Sequence, residues 1–253
     1  MSLLKLLIIG HGSQAQVWAS NLKNSNFDVS IGLRSGSKNT KSAKENGHNV
    51  IDINNMQKYC PEFDSIIILT PDHTHNEILD TIYPCVKTGQ SIIYAHGYSV
   101  IKDSLHIKYQ DLSHLLLAPK AIASEMADLY ANQKPIPAGF SLEYSQNLSN
   151  DFELIQQVSQ GVGMTAKLIQ TSFLEETQCD LFSEQTILCS ALPFLIKKSY
   201  DTLVQNGISR ELAFLECCLE SKYIINTLIK IGFTQFFEVI SPNALIGAEK
   251  ATD

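Results

Sequence analysis

The sequence predicts an α/β fold in two parts, a parallel sheet wrapped by helices and then an all-helical domain. Three observations carry this. Short apolar β-type runs alternate with helical spacers over the first two thirds of the chain, a Gly-x-Gly turn follows the first run, and strand signals stop near Thr171. Strands apolar along their whole length, separated by helices, belong to sheets covered on both faces.

The elements follow in order. Leu4–Ile9 is the first strand and Gln14–Leu22 the helix after it. Phe27–Leu33, Ser65–Leu69, Ser91–Tyr94 and Leu115–Ala118 supply four more strands. A helix near Asp151–Gly161 precedes a last strand, Ala166–Thr171. Cys179–Gln205 and Ser209–Ile231 then read as long helices, broken near Asn206–Gly207. The expected division is a sheet domain over 1–172 and a helical domain over 173–253.

Composition narrows the function. The chain has 253 residues, 44% hydrophobic and 18% charged, as in ordinary globular proteins. A net charge of -7 with no basic block argues against nucleic acid, whose phosphates need clustered Lys and Arg. The opening apolar run is too short to span a membrane, and no signal-peptide layout follows, so a cytoplasmic protein is expected. Six cysteines without CxxC spacing indicate neither a zinc site nor a disulfide framework; Cys217 and Cys218 read as reduced, packed thiols.

After the first strand, Gly10-His11-Gly12-Ser13-Gln14-Ala15 is a GxGxxA form of the Rossmann dinucleotide fingerprint. Gly10 permits the tight turn, Gly12 lets backbone approach a pyrophosphate, and Ala15 allows close helix–strand packing. Phosphate would rest on the helix N-terminus opened by Ser13 and Gln14. An NAD site wants Asp or Glu at the end of the second strand. Here Leu33-Arg34-Ser35-Gly36-Ser37-Lys38 stands instead, and Arg34 and Ser37 suit a 2′-phosphate, so NADP(H) is expected.

Asp180/Glu184 and Glu216/Glu220 are two pairs of acids four apart, each on one helix face. The second pair lies in LAFLECCLESKYIINTLI, apolar on nearly every side, which predicts a buried helix. Four carboxylates without His or Cys ligands suit Mg²⁺. A dinucleotide beside such acids points to reduction of a substrate that chelates through vicinal oxygens.

With these residues in view, the chain resembles ketol-acid reductoisomerase from about Leu4 to Gly247. The likeness rests on GHGSQ (10–14), GLRSGS (32–37), AHGYSV (95–100), APK (118–120), EETQCDLFSEQTILC (175–189) and LECCLESKYII (215–225). It implies the short-chain class, with a helical domain shared across a homodimer. It also implies Mg²⁺-dependent alkyl migration in an acetohydroxy acid, then hydride transfer from NADPH to give a 2,3-dihydroxy acid of branched-chain amino-acid synthesis. By the same resemblance Asp180 and Glu184 bind two Mg²⁺ ions, Asp180 bridging them, and the partner subunit supplies Glu216 and Glu220. Glu220 assists proton transfer, Ser241 binds the substrate carboxylate, and His96 and Lys120 line the site.

The sequence departs from the family's pattern in several places. PKGPGH reads Pro119-Lys120-Ala121-Ile122-Ala123-Ser124, a second phosphate-binding serine is Asn39, and the His before the second Glu is Leu219. S-x-T-A-E-Y-G reads Ser241-Pro242-Asn243-Ala244-Leu245-Ile246-Gly247, and the sequence ends at Asp253 where relatives continue. Two other readings stay open: a reductase of the same fold acting on another 2-keto acid without migration, and an inactive nucleotide-binding paralogue.

Overall fold

The computed structural model describes residues 3–252. Two compact units divide it, Met1–Asp180 and Leu181–Asp253.

The first unit is built on an eight-stranded sheet in the order β3-β2-β1-β4-β5-β6-β7-β8. Its strands are β1 (Lys5–Ile9), β2 (Asp28–Leu33), β3 (Asn49–Asp52), β4 (Ser65–Ile68), β5 (Ser91–Tyr94), β6 (Ser113–Pro119), β7 (Ala138–Tyr144) and β8 (Ile169–Gln170). The helices are α1 (Ser13–Asn24), α2 (Thr40–Glu45), α3 (His75–Ile82), α4 (Tyr98–Lys102), α5 (Leu105–Lys108), α6 (Ala123–Ala131) and α7 (Leu148–Val162), followed by α8 (Phe173–Ser183). Strands β1 to β6 pair in parallel, and their side chains fill two cores, one on each face of the sheet. Leu6 and Ile8 point into one and Leu7 and Ile9 into the other, the period-two alternation of a strand covered on both sides.

Two strands went unanticipated. Strand β3 has only four residues and opens on Asn49, too short for a periodic signal. Strand β7 runs antiparallel to β6, so the sheet is not wholly parallel. Pro137 before it and Gly139 inside it disguise it as a loop, although Phe140 belongs to the core. The expected strand Ala166–Thr171 shrinks to the two residues of β8.

The second unit contains helices joined by short turns, and no strand among its described residues. The helix that begins with α8 continues through a π-helical segment, Glu184–Ala191, into α9 (Leu192–Gln205). After the Asn206–Gly207 turn come α10 (Arg210–Phe214), a second π-helical segment (Leu215–Leu219), α11 (Glu220–Val239) and α12 (Pro242–Thr252). Gly207 takes a positive φ of 88° at this break, a value that favours glycine.

One sequence expectation is corrected. The Glu216–Glu220 helix is not buried: both acids are exposed, and so are Leu215 at 50% and Tyr223 at 58%. An apolar sequence predicts a surface that seeks cover, and within one chain this helix has little. Cys60 and Cys85 lie side by side, with Cα atoms 5.7 Å apart, which brings the segment after β3 against the end of α3. Cys217 and Cys218 are free and half-buried.

His114 on β6 is fully buried, its ring between the Tyr94 hydroxyl and the Tyr109 carbonyl. Burial lowers its pKa to about 4. The folded protein thus binds fewer protons than the unfolded chain between about pH 4 and pH 6.5, so stability falls with acid across that window. Burial also lowers His11, His48 and His75, which act in the same direction. Urea unfolding should show a loss from His114 alone of about 2 kcal/mol between pH 7.5 and pH 5. His114→Gln should flatten the slope by that amount whatever it does to stability at neutral pH.

Candidate functional site

In a parallel sheet the strand C-termini and the loops after them share one edge, where ligands bind in open α/β folds. Two features lie there.

The first is a cavity of about 330 Å³ over the C-terminal ends of β1, β2 and β4. Gly10, Gly12, Arg34, Ser37 and Asn39 line it, joined from α3 by Glu77, an acid the sequence reading did not place there. Gly10 has a φ of 109°, and a Cβ on it would lie 2.6 Å from the Leu69 carbonyl oxygen, so only glycine fits this turn. A Cβ on Gly12 would meet nothing within 4 Å, which leaves its backbone open to a close-approaching group. Ser13 and Gln14 form the first turn of α1, outside the cavity lining. These residues fit a dinucleotide: a glycine turn, a free helix N-terminus and a basic loop at the end of β2.

The second feature is a charged cluster at the ends of β5 and β6. Glu176, on the first turns of α8, is buried, its side chain only 2% exposed. Its Oε2 accepts from His96 Nδ1 at 3.0 Å and from the Gly97 amide at 2.8 Å, and its Oε1 accepts from Lys120 Nζ at 2.8 Å. Lys120 also donates to Asp180 Oδ1 at 3.0 Å, and Asp180 Oδ2 lies 3.4 Å from His96 Nδ1. Gly97 is required by this contact. A Cβ there would come within 2.5 Å of the Phe173 carbonyl oxygen and 2.6 Å of Thr177 Oγ1.

The cluster sets its own ionisation. Burial pushes the Glu176 carboxyl up, but hydrogen bonds from His96 and Lys120 outweigh it and hold the group below the usual carboxylate range. Burial draws His96 down, and the hydrogen bond and charge of Glu176, then Asp180 and Asp72, more than reverse this. Lys120 is raised in the same way by Glu176 and Asp180 against burial. The stability from Glu176 is present above the ordinary carboxylate pKa and is lost as pH falls through its lowered value. That from His96 is present in acid and is lost as pH rises through its raised value. The ion pairs are strongest between those limits.

His96, Glu176 and Asp180 each offer a ligand atom within 4.8 Å of the others, so the cluster can also hold a metal ion. Carboxylate oxygens beside one imidazole admit a hard divalent cation. Of the residues singled out in sequence, the structure thus brings together His96, Lys120 and Asp180. Glu184, Glu216, Glu220 and Ser241 belong to the second unit, where all four are exposed. Ser241 Oγ accepts from the Ala244 amide at 3.2 Å, capping α12. The sequence reading missed Glu176. Its signal was there, four residues before Asp180 on the same helix face, but an acid in a helix's first turn is ordinary.

Comparison with known proteins matches both parts of the chain. Residues 1–167 match the family model for the acetohydroxy acid isomeroreductase NADPH-binding domain, and residues 173–253 match the ketol-acid reductoisomerase C-terminal domain. The chain belongs to the ketol-acid reductoisomerase family. A ketol-acid reductoisomerase (NADP(+)) of Methanococcus maripaludis strain C6 is 32% identical over 96% of this chain and 72% of its own length. A solved NADH-preferring ketol-acid reductoisomerase from an uncultured archaean has a TM-score of 0.79 at 28% identity, covering 96% of this chain and 74% of that one. A semialdehyde dehydrogenase NAD-binding protein from Cupriavidus necator, at 16% identity and a TM-score of 0.73, shares the fold. The protein is accordingly an NAD(P)-dependent reductoisomerase, an oxidoreductase of branched-chain amino-acid biosynthesis that acts on a small keto acid.

Within this ketol-acid reductoisomerase, Glu176→Gln keeps the shape of the central side chain and removes its charge. In the metal-free protein the His96 titration, followed by NMR, should move down towards the ordinary imidazole value. An unmoved titration would mean that Asp180 and Asp72 hold the proton without Glu176.

Proposed function

We propose that this protein is an NADPH-preferring, Mg²⁺-dependent ketol-acid reductoisomerase that retains alkyl migration and works as a cytoplasmic homodimer. The supporting observation is the Lys120 ammonium held between Glu176 and Asp180. It lies along the same sheet edge as a cavity lined by Arg34 and Ser37.

In this reading the functional division falls at 172/173. Gly10, Gly12, Ser13 and Gln14 receive the pyrophosphate, and Arg34 and Ser37 grip the 2′-phosphate. Asp180 and Glu184 hold two Mg²⁺ ions, completed by Glu216 and Glu220 from the partner subunit. When bound, the metal supplies Lewis-acid polarisation of the substrate ketone and NADPH supplies hydride. The protein's own groups orient and move protons. Glu176 fixes the His96 ring and the Lys120 ammonium, His96 and Lys120 line the substrate, Glu220 exchanges a proton with the substrate oxygen, and Ser241 donates to its carboxylate. The altered residues Ala121, Ile122 and Ala123 follow Lys120 directly, so they bear on which acid fits.

The exposed apolar side chains of the second unit support the dimer. Phe233 at 77%, Ile229 at 78% and Phe237 at 52% are largely open to solvent in the single chain. The run Phe173–Gln205 is also long and apolar enough to cross a membrane by length and composition. A shared interface explains it better, because the run carries Glu175, Glu176, Asp180 and Glu184 over less than three turns. Light scattering at micromolar concentration should give a dimer or a multiple of one. A monodisperse monomer would remove the shared site.

Activity tests the rest. NADPH should be consumed with Mg²⁺ and 2-acetolactate. Consumption with 3-hydroxy-3-methyl-2-oxobutanoate alone would mark a reductase without migration. Millimolar Mg²⁺ should raise the melting temperature by mass action, and Asp180→Asn should reduce the rise most. Arg34→Asp should cost NADPH roughly ten- to a hundredfold in affinity, the worth of one charge-assisted hydrogen bond. Equal affinity of the unmodified protein for NADPH and NADH would overturn the cofactor preference.

A further inference from the structure

Two cysteines of the first unit take no part in the chemistry above, yet the fold sets them together. Cys60 opens the 3-10 turn Cys60–Glu62, and Cys85 closes the 3-10 turn Tyr83–Cys85 that follows α3. Their Cα atoms are 5.7 Å apart, although 25 positions separate them in sequence. A disulfide spans about that distance, 5.5–6 Å, without backbone movement. Cys60 is fully buried in the core that holds Ile53, Ile78 and Ile82, and Cys85 packs against that core half-buried. Solvent therefore reaches one thiol of the pair and not the other.

The segments that the pair would join are two walls of one cavity. The 3-10 turn Ile53–Lys58, just before Cys60, contributes Ile53 and Asn54 to the lining. Helix α3, just before Cys85, contributes Glu77, Ile78 and Thr81. Neither cysteine lines the cavity itself, so a bond between them would tie the walls without entering the space they enclose. Where thiols are kept reduced, such a pair serves as a bond made and unmade with redox conditions rather than as a fixed staple.

We propose that Cys60 and Cys85 are a redox-modification site, oxidised by a low-molecular-weight disulfide to an internal disulfide that braces the cavity between the 53–58 turn and α3. The Cys85 sulfur loses its proton and attacks one sulfur of the oxidant, whose S–S bond breaks. One oxidant thiolate leaves and takes up that proton. The Cys60 sulfur then attacks the Cys85 sulfur of the mixed disulfide, and the second oxidant thiolate leaves with the Cys60 proton. Two protein thiols lose two electrons, and the oxidant gains them as two thiols.

The test uses the full folded chain without cofactor, so it is independent of the cofactor preference. The chain is reduced, then incubated with oxidised glutathione, and followed by peptide mass mapping, hydrogen exchange and thermal melting. A linked peptide pair containing Cys60 and Cys85 should appear and should vanish on adding dithiothreitol. Amide exchange over 53–58 and 75–82 should slow roughly threefold or more, and melting should rise by roughly 5–10 °C. Cys85→Ser retains the exposed Cys179 and Cys189 and should show neither change. Glutathione held at Cys85 without displacement by Cys60, or a link formed only in urea, would overturn the site. A native link that leaves exchange over both segments unchanged would overturn the brace. If Cys85→Ser does not fold, reversal by dithiothreitol in the unmodified chain decides by the same readouts.

Discussion

The buried Glu176 carboxylate is the interaction on which the rest of the site depends. It belongs to α8, yet its partners are the ends of β5 and β6, so it fastens the start of α8 to the C-terminal edge of the sheet. A lone carboxylate at that depth would be costly. Three donors, the Lys120 ammonium, the His96 ring and the Gly97 amide, offset the cost, and each is thereby oriented. Gly97 has no side chain because the carboxylate must reach its amide, and Lys120 gains a fixed direction that carries it on to Asp180.

What sequence could and could not reveal follows from the range of each interaction. The glycine turn, Arg34 and Ser37 were legible because they act locally: conformation and charge are written in consecutive residues. Strand β7 was not, since its antiparallel place beside β6 depends on pairing at a distance while its own residues begin like a loop. Glu176 was missed for the same reason. Its meaning lies in residues 56 and 80 positions away, and helix periodicity reports only the near ones.

The exposed Glu216–Glu220 helix shows a different limit. Its apolar pattern was read as burial, and the structure of one chain leaves it open. A hydrophobic pattern states that a surface is better removed from water. It does not say whether the same chain or another removes it. The acids within that surface carry the same ambiguity, and in the dimer proposed above a second subunit would resolve both by covering the apolar residues and bringing the carboxylates to a cation.

The chemistry of the sheet edge is ordered as well as gathered. Strand order runs outward from β1 in both directions, and the change of direction beside β1 opens the crevice that the glycine turn occupies. From there towards β2 the loop is basic, suited to phosphate. Towards β5 and β6 it becomes a network of acids neutralised by His96 and Lys120. A cofactor anionic at one end and nearly neutral at the other has one favoured direction along such an edge. In the function proposed above, that direction would put its redox ring beside His96 and Lys120. Parallel strands alone would align the loops. The order of charges along the edge, Arg34, Asp72, His96 and Lys120, makes the alignment directional.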